Sequence, residues 1–533
     1  RNQLSQISKT NDKDIFQTYM ATVATAVDPH TSYFSPRDSE NFNMGLSLSL
    51  QGIGAQLTTE EEYTKVAELI KGGPAERGNE LKAGDRIVSI GQGVDGELQD
   101  VVGMRLDDVV AQIRGEKGTV VRLNVIPVDA IGESSATVVS ITRDTVKLED
   151  QSAKKEVIEL SYNGEIFKVG IIDLPTFYFD FEAASRGDAD FKSSTRDVHA
   201  LLDELKEEDV DAVVVDLRNN GGGSLSEANQ LVGLFIETGA TVQIRYSGLR
   251  NGFTRSFGDS DPEVAYTGPL AVLVNRTSAS ASEIFAGAIQ DYQRGIVLGG
   301  QTFGKGTVQE IIPMDYGQVK LTRSKFYRIS GESTQHRGVI PDISFPDFYD
   351  AYEDIGESSL DGALPWDTVR AVEYTPYHAI QALVPELQQR YDDRAQKSPD
   401  FIYLRDQIER ARVMRQREQL SLNELEVKQE REENRRIEFD AENMRRLLKG
   451  LTLNEWVEDP NAEEQEQEQE QELVAISDTA PADESVEDAV EEEEEEEEGD
   501  PLLLESGRIL ADFISLNSNR VSSVSPGNTP QNR

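Results

Sequence analysis

The stretch Leu270-Ala271-Val272-Leu273-Val274-Asn275-Arg276-Thr277-Ser278-Ala279-Ser280-Ala281-Ser282-Glu283-Ile284-Phe285 runs from an unbroken apolar segment through a serine-rich turn into apolar positions at helical spacing. Five apolar residues without polar alternation mark a strand covered on both faces, as in parallel sheets. Ile284, Phe285, Ala288, Ile289 and Tyr292 then keep the 3.6-residue period of a helix. Outward from this unit, Val213-Val214-Val215 and Ile296-Val297-Leu298 read as further buried strands, and Ser226 to Ile236 as a helix. Strands and helices alternate from Phe167 to about Asp347, which predicts an α/β core with a mostly parallel sheet.

The flanks read differently. Up to about Phe42, Phe16, Tyr19, Met20, Val23 and Val27 recur at helical spacing, and Pro29 stops that helix at Asp28. From Met44 to Asp129 the chain is β-rich. Leu46-Ser47-Leu48-Ser49-Leu50 alternates like a strand, Gly52-Ile53-Gly54-Ala55 forms a tight apolar loop, and a helix carries Leu106, Val109, Val110 and Ile113 before the strand Val120 to Val125. This order resembles a PDZ domain, which implies that a peptide adds as a strand, that loop amides near Gly52, Ile53, Gly54 and Ala55 take its terminal carboxylate, and that an apolar pocket holds its last side chain. Beyond Pro346 strand signals fade. Tyr391 to Leu448 is charged and helix-prone, with Ser421-Leu422-Asn423-Glu424 as a capping box between two helices. Glu458 to Asp500 carries Gln-Glu repeats and eight consecutive glutamates, so it is expected to be a disordered acidic linker. Leu502 to Leu516 forms one short amphipathic helix. The expected fold is therefore multidomain α+β: a helical segment (1–43), a PDZ-like β domain (44–129), an α/β core (130–347), a helical domain (348–457), the acidic linker (458–500) and a short helix with a tail (501–533).

At 533 residues the chain exceeds one hydrophobic core. A net charge of −45 argues against nucleic acid or an anionic membrane as partner. The absence of cysteine excludes thiol chemistry and disulfides. No apolar run approaches the roughly 18 residues of a membrane span. The chain starts at Arg1 without a signal peptide, so the expectation is that none exists or that it was removed.

Chemistry concentrates in two loops. Ser280 sits where a helix starts, with free amides and a dipole that favour developing negative charge. The second loop, Thr302-Phe303-Gly304-Lys305-Gly306-Thr307-Val308-Gln309, follows the next buried strand. Neighbouring strand-to-helix loops of an α/β sheet open at one edge, and parallel strands lie about 5 Å apart, so Ser280 and Lys305 are within mutual reach. A lysine kept neutral by burial is able to take a serine's proton. A third loop, Asp216-Leu217-Arg218-Asn219-Asn220-Gly221-Gly222-Gly223, offers glycine amides for an oxyanion. Taken singly, the serines could all be helix caps, Ser282 above all. Lys305 could be a solvated loop residue, and Asp291 an ordinary ion-pair partner.

The β-rich segment, the Asp-Leu-Arg-Asn-Asn-Gly-Gly-Gly run, Ser-Ala-Ser-Ala-Ser-Glu-Ile and Thr-Phe-Gly-Lys-Gly-Thr-Val-Gln occur in the order seen in tail-specific proteases, the carboxyl-terminal processing serine peptidases of the bacterial cell envelope. The resemblance spans about Phe16 to Asp347 and includes Asp28-Pro29-His30-Thr31-Ser32-Tyr33-Phe34. It implies Ser280 as nucleophile, Lys305 as general base and Gln309 orienting the lysine. It also implies Gly222 and Gly223 shaping the oxyanion site, with Asp291, Glu283 and Thr302 in support. It further implies a periplasmic protein acting on unfolded or C-terminally exposed protein substrates, without cofactor or metal, served in some members by a lipoprotein adaptor. The PDZ reading narrows these substrates to apolar C-termini.

Three rivals compete. Gly299 to Lys305 spells most of a phosphate-binding loop, but Gly306 stands where Ser or Thr would hold magnesium. Among His30, His199, His336 and His378, only His336 is placed for a Ser-His-Asp arrangement, and no Gly-x-Ser-x-Gly elbow appears. A catalytically silent PDZ scaffold is the non-enzymatic alternative.

Overall fold

The computed structural model describes residues 10–523 apart from 129, 131–135, 248–251, 353, 418 and 457–498, with side chains described to residue 517. The central sheet has the spatial order Lys154–Tyr162, Glu165–Asp173, Ala212–Asp216, Leu270–Val274, Ile296–Gly299 and Ile343–Ser344. Its first pair is antiparallel and the rest are parallel. The three central strands are buried at every position, as their unbroken apolar sequence requires.

Alternate residues of those strands feed two cores. Val213, Val215, Val272, Val274 and Val297 pack under helices Ser194–Glu207, Leu225–Gly233 and Ala281–Asp291. Ala212, Val214, Ala271, Leu273, Ile296 and Leu298 face helices Val384–Ala395 and Pro501–Ser523. The segment after the acidic run thus closes the second face of the sheet. Ile509, Leu510 and Phe513 are buried there, and Arg394 bonds both Glu505 (2.7 Å) and Asp512 (2.6 Å). The helix extends past the expected Leu516. Of the expected acidic linker only Gly499 and Asp500 lie within the described residues, and Asp500 pairs with Arg218 at 2.7 Å.

A second, antiparallel sheet joins Ser32–Phe34, Gln318–Tyr327, Gly239–Tyr246 and Phe253–Asp259, with Thr307–Pro313 on Gln318–Tyr327. A third sheet holds Ala55–Glu60, Tyr63–Leu69, Arg86–Gln92, Val120–Ile126 and Thr137–Thr142 around its own core, which includes Val109 and Ile113 of helix Leu106–Ile113.

Two local expectations are corrected. The alternation from Leu46 to Leu50 does not begin as strand. Ser35 caps and Pro36 starts a helix that runs to Ser47, left-handed Leu48 ends it, and the strand is Ser49–Gly52. In the helical region Asn423, not Ser421, caps Glu424–Lys449, because it stands directly before the first turn and its Oδ1 accepts the Leu425 amide at 3.1 Å while Ser421 bonds Glu426.

Candidate active site

Ser280 occupies the N-cap position of helix Ala281–Asp291 with φ 56° and ψ −106°. A non-glycine residue at such angles is strained, and the strain throws its side chain out of the strand-to-helix turn. The geometry is that of a nucleophile elbow, although Ser278 and Ser282 stand where that motif has its two glycines. Gly222 presses against it: a Cβ there would lie 2.9 Å from Ser280 Cβ and 3.1 Å from the Ala281 amide nitrogen. At Gly223 (φ +133°) a Cβ would meet the Phe177 carbonyl oxygen at 2.4 Å. Glycine is therefore obligatory at both positions. The Gly222 amide donates to Asn220 Oδ1 (2.9 Å), whereas the Gly223 and Ala281 amides find no acceptor among the described residues. These two are the available donors for a developing oxyanion.

The other serines are not caps. Ser278 Oγ donates to the Leu217 carbonyl (2.7 Å) and Ser282 Oγ to the Asn220 carbonyl (2.8 Å), so both stitch the serine turn to the glycine-rich loop. The expectation that Ser282 caps the helix fails because Ser280 already holds the N-cap position.

Glu283 is the hub. Fully buried, it accepts four hydrogen bonds: from the Ser280 amide (2.8 Å), the Thr302 hydroxyl (2.7 Å), the Gly304 amide (2.8 Å) and the Lys305 amide (2.9 Å). One carboxylate thereby joins the serine turn to the lysine loop. Burial pushes its pKa up to about 7 against the pull of those donors. Thr302, also fully buried, accepts the Val339 amide at 2.7 Å and so ties a third segment in.

Lys305 is partly buried, and loss of water around its amine, with Lys320 adding like-charge repulsion, pushes its pKa down to about 8. Its amine does not hydrogen-bond Ser280 in this arrangement, and the two are linked through Glu283 and the backbone. Gln309 does not bond the lysine either. Its amide donates to the hydroxyls of Thr307 (2.9 Å) and Thr322 (3.1 Å), the threonines that share its face of the hairpin. Asp291 lies at the far end of the serine helix, where it pairs with Arg328 (2.6 Å), a structural place.

Asn220, Gln335 and Glu357 were not singled out in the sequence. Asn220 lay within the glycine-rich run, and its fixed place between Leu174 and Gly222 comes only from the fold. Gln335 holds the Gly306 amide (2.8 Å) and Glu357 (2.6 Å), a contact no local pattern announces.

The phosphate-loop reading fails because Lys305 leads into strand Thr307–Pro313, not into a helix whose amides could cradle phosphate. His336 does approach the lysine loop, but by its backbone amide on the Gly304 carbonyl (2.8 Å), with φ +65°. Replacing it with Asn, which tolerates positive φ, is expected to leave turnover within a few-fold of the parent in a peptidase assay. A loss as deep as that of Ser280→Ala would restore the Ser-His reading.

In the third sheet Ala55–Glu60 is an edge strand paired only with Tyr63–Leu69, and helix Leu106–Ile113 packs near its open side. The preceding loop offers the carbonyls of Ile53 and Gly54 to Ala75 and Ile70, leaving the amides of Ile53 and Gly54 without acceptors among the described residues. Gly54 has φ +73° and packs against Gly73 and Val146, while Gly52 ends the preceding strand and Ala55 opens the next.

Comparison with known proteins matches this organisation. Residues 168–345 match the model of Peptidase family S41, 36–126 the PDZ domain, 1–37 the tail specific protease N-terminal domain, and 351–515 the C-terminal domain of tail specific protease. The core thus falls in Peptidase family S41. The chain is 39% identical to the tail-specific protease of Haemophilus influenzae over 83% of its own length and 61% of that protein. It is 30% identical to the carboxy-terminal-processing protease of Bartonella bacilliformis over 66% of its length and 75% of that one. The chain thus spans about three-fifths of the Haemophilus protein. Among solved structures, a photosystem II D1 C-terminal processing protease aligns at 27% identity and TM-score 0.34, covering 63% of this chain and 82% of that one. The PDZ domain of a carboxy-terminal protease from Vibrio cholerae, in complex with peptide, aligns at 46% identity and TM-score 0.18, covering 19% and 100%. The chain belongs to the carboxy-terminal-processing, tail-specific protease family.

Proposed function

We propose that the protein is a periplasmic endopeptidase that grips apolar C-termini through its PDZ domain and cleaves the attached polypeptide with a Ser280–Lys305 dyad. The observation that carries this reading is the Glu283 carboxylate, which binds the serine turn and the lysine loop at once, beside a lysine whose proton affinity is lowered. The mechanism requires the lysine amine to close on Ser280 in the substrate complex, as catalytic hydrogen bonds often tighten only with substrate bound. Lys305 takes the hydroxyl proton and Ser280 attacks the scissile carbonyl. The amides of Gly223 and Ala281 hold the oxyanion, each such donor typically contributing about 3 kcal/mol. The leaving amine departs with a proton, and water then releases the acyl group. Gln309 keeps its positioning part through Thr307 and Thr322. The open edge of Ala55–Glu60 and the unpaired amides at Ile53 and Gly54 suit an added strand and its terminal carboxylate. Holding the terminus raises the effective concentration of the chain at the peptidase. A lipoprotein adaptor would act upstream of this step.

The test is degradation of an unfolded protein ending in an apolar residue, followed from pH 6 to 10. Turnover is expected to rise through about pH 8 as Lys305 loses its proton, and to weaken when the substrate's last residue is made charged. A flat profile removes lysine as base, and indifference to the last residue removes the PDZ domain from the mechanism. No cleavage at all would favour the silent scaffold.

A further inference from the structure

Charged groups reach Lys305 from outside the peptidase segment as well as from within it. Glu283 and Lys320 belong to residues 168–345, but Asp28 lies in the N-terminal domain match and Glu357 in the C-terminal one. Each of these two carboxylates is buried and held. Asp28 accepts from Thr322 Oγ1 (2.8 Å), from the His30 amide (2.9 Å) and from the Thr31 hydroxyl, and Thr322 in turn accepts from Gln309. Glu357 accepts from Gln335 Nε2 (2.6 Å), pairs with His30 Nε2 (2.7 Å) and donates its own amide to the Phe303 carbonyl (3.0 Å). Because Gln335 Oε1 accepts the Gly306 amide (2.8 Å), the chain His30–Glu357–Gln335–Gly306 ends one residue from the lysine. Among the other charged or titratable neighbours of the loop, Arg276 is engaged on the Thr302 carbonyl (2.9 Å) and Lys325 on Asp367, while His336 Nε2 is buried and unpartnered among the described residues.

We propose that Asp28 and Glu357 are positioning residues for Lys305: two buried carboxylates supplied by the flanking domains, they fix the lysine loop and set the proton affinity of its amine, so that the base is tuned only when both flanks are docked. This rests on Lys305 being the base. The sign follows from charge. Asp28 and Glu357 favour the ammonium and raise the lysine's pKa, opposing burial and Lys320, which lower it. Taking away either carboxylate charge makes Lys305 easier to deprotonate, and taking away Lys320 makes it harder.

The experiment is the pH dependence of kcat/KM on an unfolded protein substrate for the parent, Glu357→Gln, Asp28→Asn and Lys320→Met, with thermal melts to confirm folding. The acid limb is expected to move down by about half a unit or more in the first two variants and up by a similar amount in the third. Loosened packing cannot shift a limb in opposite directions. An unmoved limb in Glu357→Gln and Asp28→Asn, or the same direction in all three, overturns the proposal. A parent without an acid limb, or a Lys305→Ala variant that still turns over, overturns the base assignment and this inference with it.

Discussion

Ser280→Ala is expected to lower kcat by about four to six orders of magnitude, the range seen when a serine hydrolase loses its nucleophile, with no change in melting temperature beyond about a degree. The dissociation of the two effects is the point. The turn is held by the Ser280 amide on Glu283, by the Ser278 hydroxyl on the Leu217 carbonyl and by the Ser282 hydroxyl on the Asn220 carbonyl. None of these uses the Ser280 hydroxyl. Lys305→Ala is expected to match it in rate, since an unassisted serine hydroxyl is a poor nucleophile at neutral pH. By contrast Ser282→Ala breaks a buried bond and should cost about 1–2 kcal/mol of stability. Rates from substrate degradation and midpoints from circular dichroism read the pair. Degradation by Ser280→Ala at the parent's speed would end the assignment.

The largest stability effect is expected from ending the chain after Trp456. Ile509, Leu510 and Phe513, none more than 6% exposed, pack on the sheet face formed by Ala212, Val214, Ala271 and Leu273. Burying a large apolar side chain contributes about 1.5–3 kcal/mol. Losing three therefore removes about 5–9 kcal/mol, comparable with the whole stability of a domain. The cut also leaves Arg390 and Arg394 without Asp512 and Glu505. The truncated chain is expected to lose its cooperative thermal transition and to appear in the insoluble fraction. An unchanged melting midpoint would mean that the helix is dispensable.

The core was legible because its strands announce themselves. A run such as Leu270 to Val274 has one stable location, between two apolar layers, and the switch to helical spacing at Ile284 fixes where the chain turns. Ser280 and Lys305 could therefore be placed at one sheet edge from order alone. What stayed hidden depends on contacts far apart in sequence. Glu283 as the joint of two loops needs Gly304 and Lys305 to fold back on it, and Glu357 reaches the site from outside the peptidase segment. The helix from Pro501 had no assigned place in the sequence because its apolar stripe gives no address, and only the unfilled face of the sheet supplies one. The misread strand at Leu46 failed for a local reason: alternation was outvoted by a Ser-Pro helix start.

The pairing of Tyr162 with Asp512 spans 350 residues, and the glycine-rich turn beside Ser280 is clasped through Arg218 by Asp500. During synthesis, then, the sheet that carries the catalytic loops has a bare flank until the final helix emerges from the ribosome. A nascent chain cannot assemble this centre piecemeal. On the proposed function, a peptidase acting on unfolded polypeptides would thus be kept from completing its own site while it is itself still unfolded.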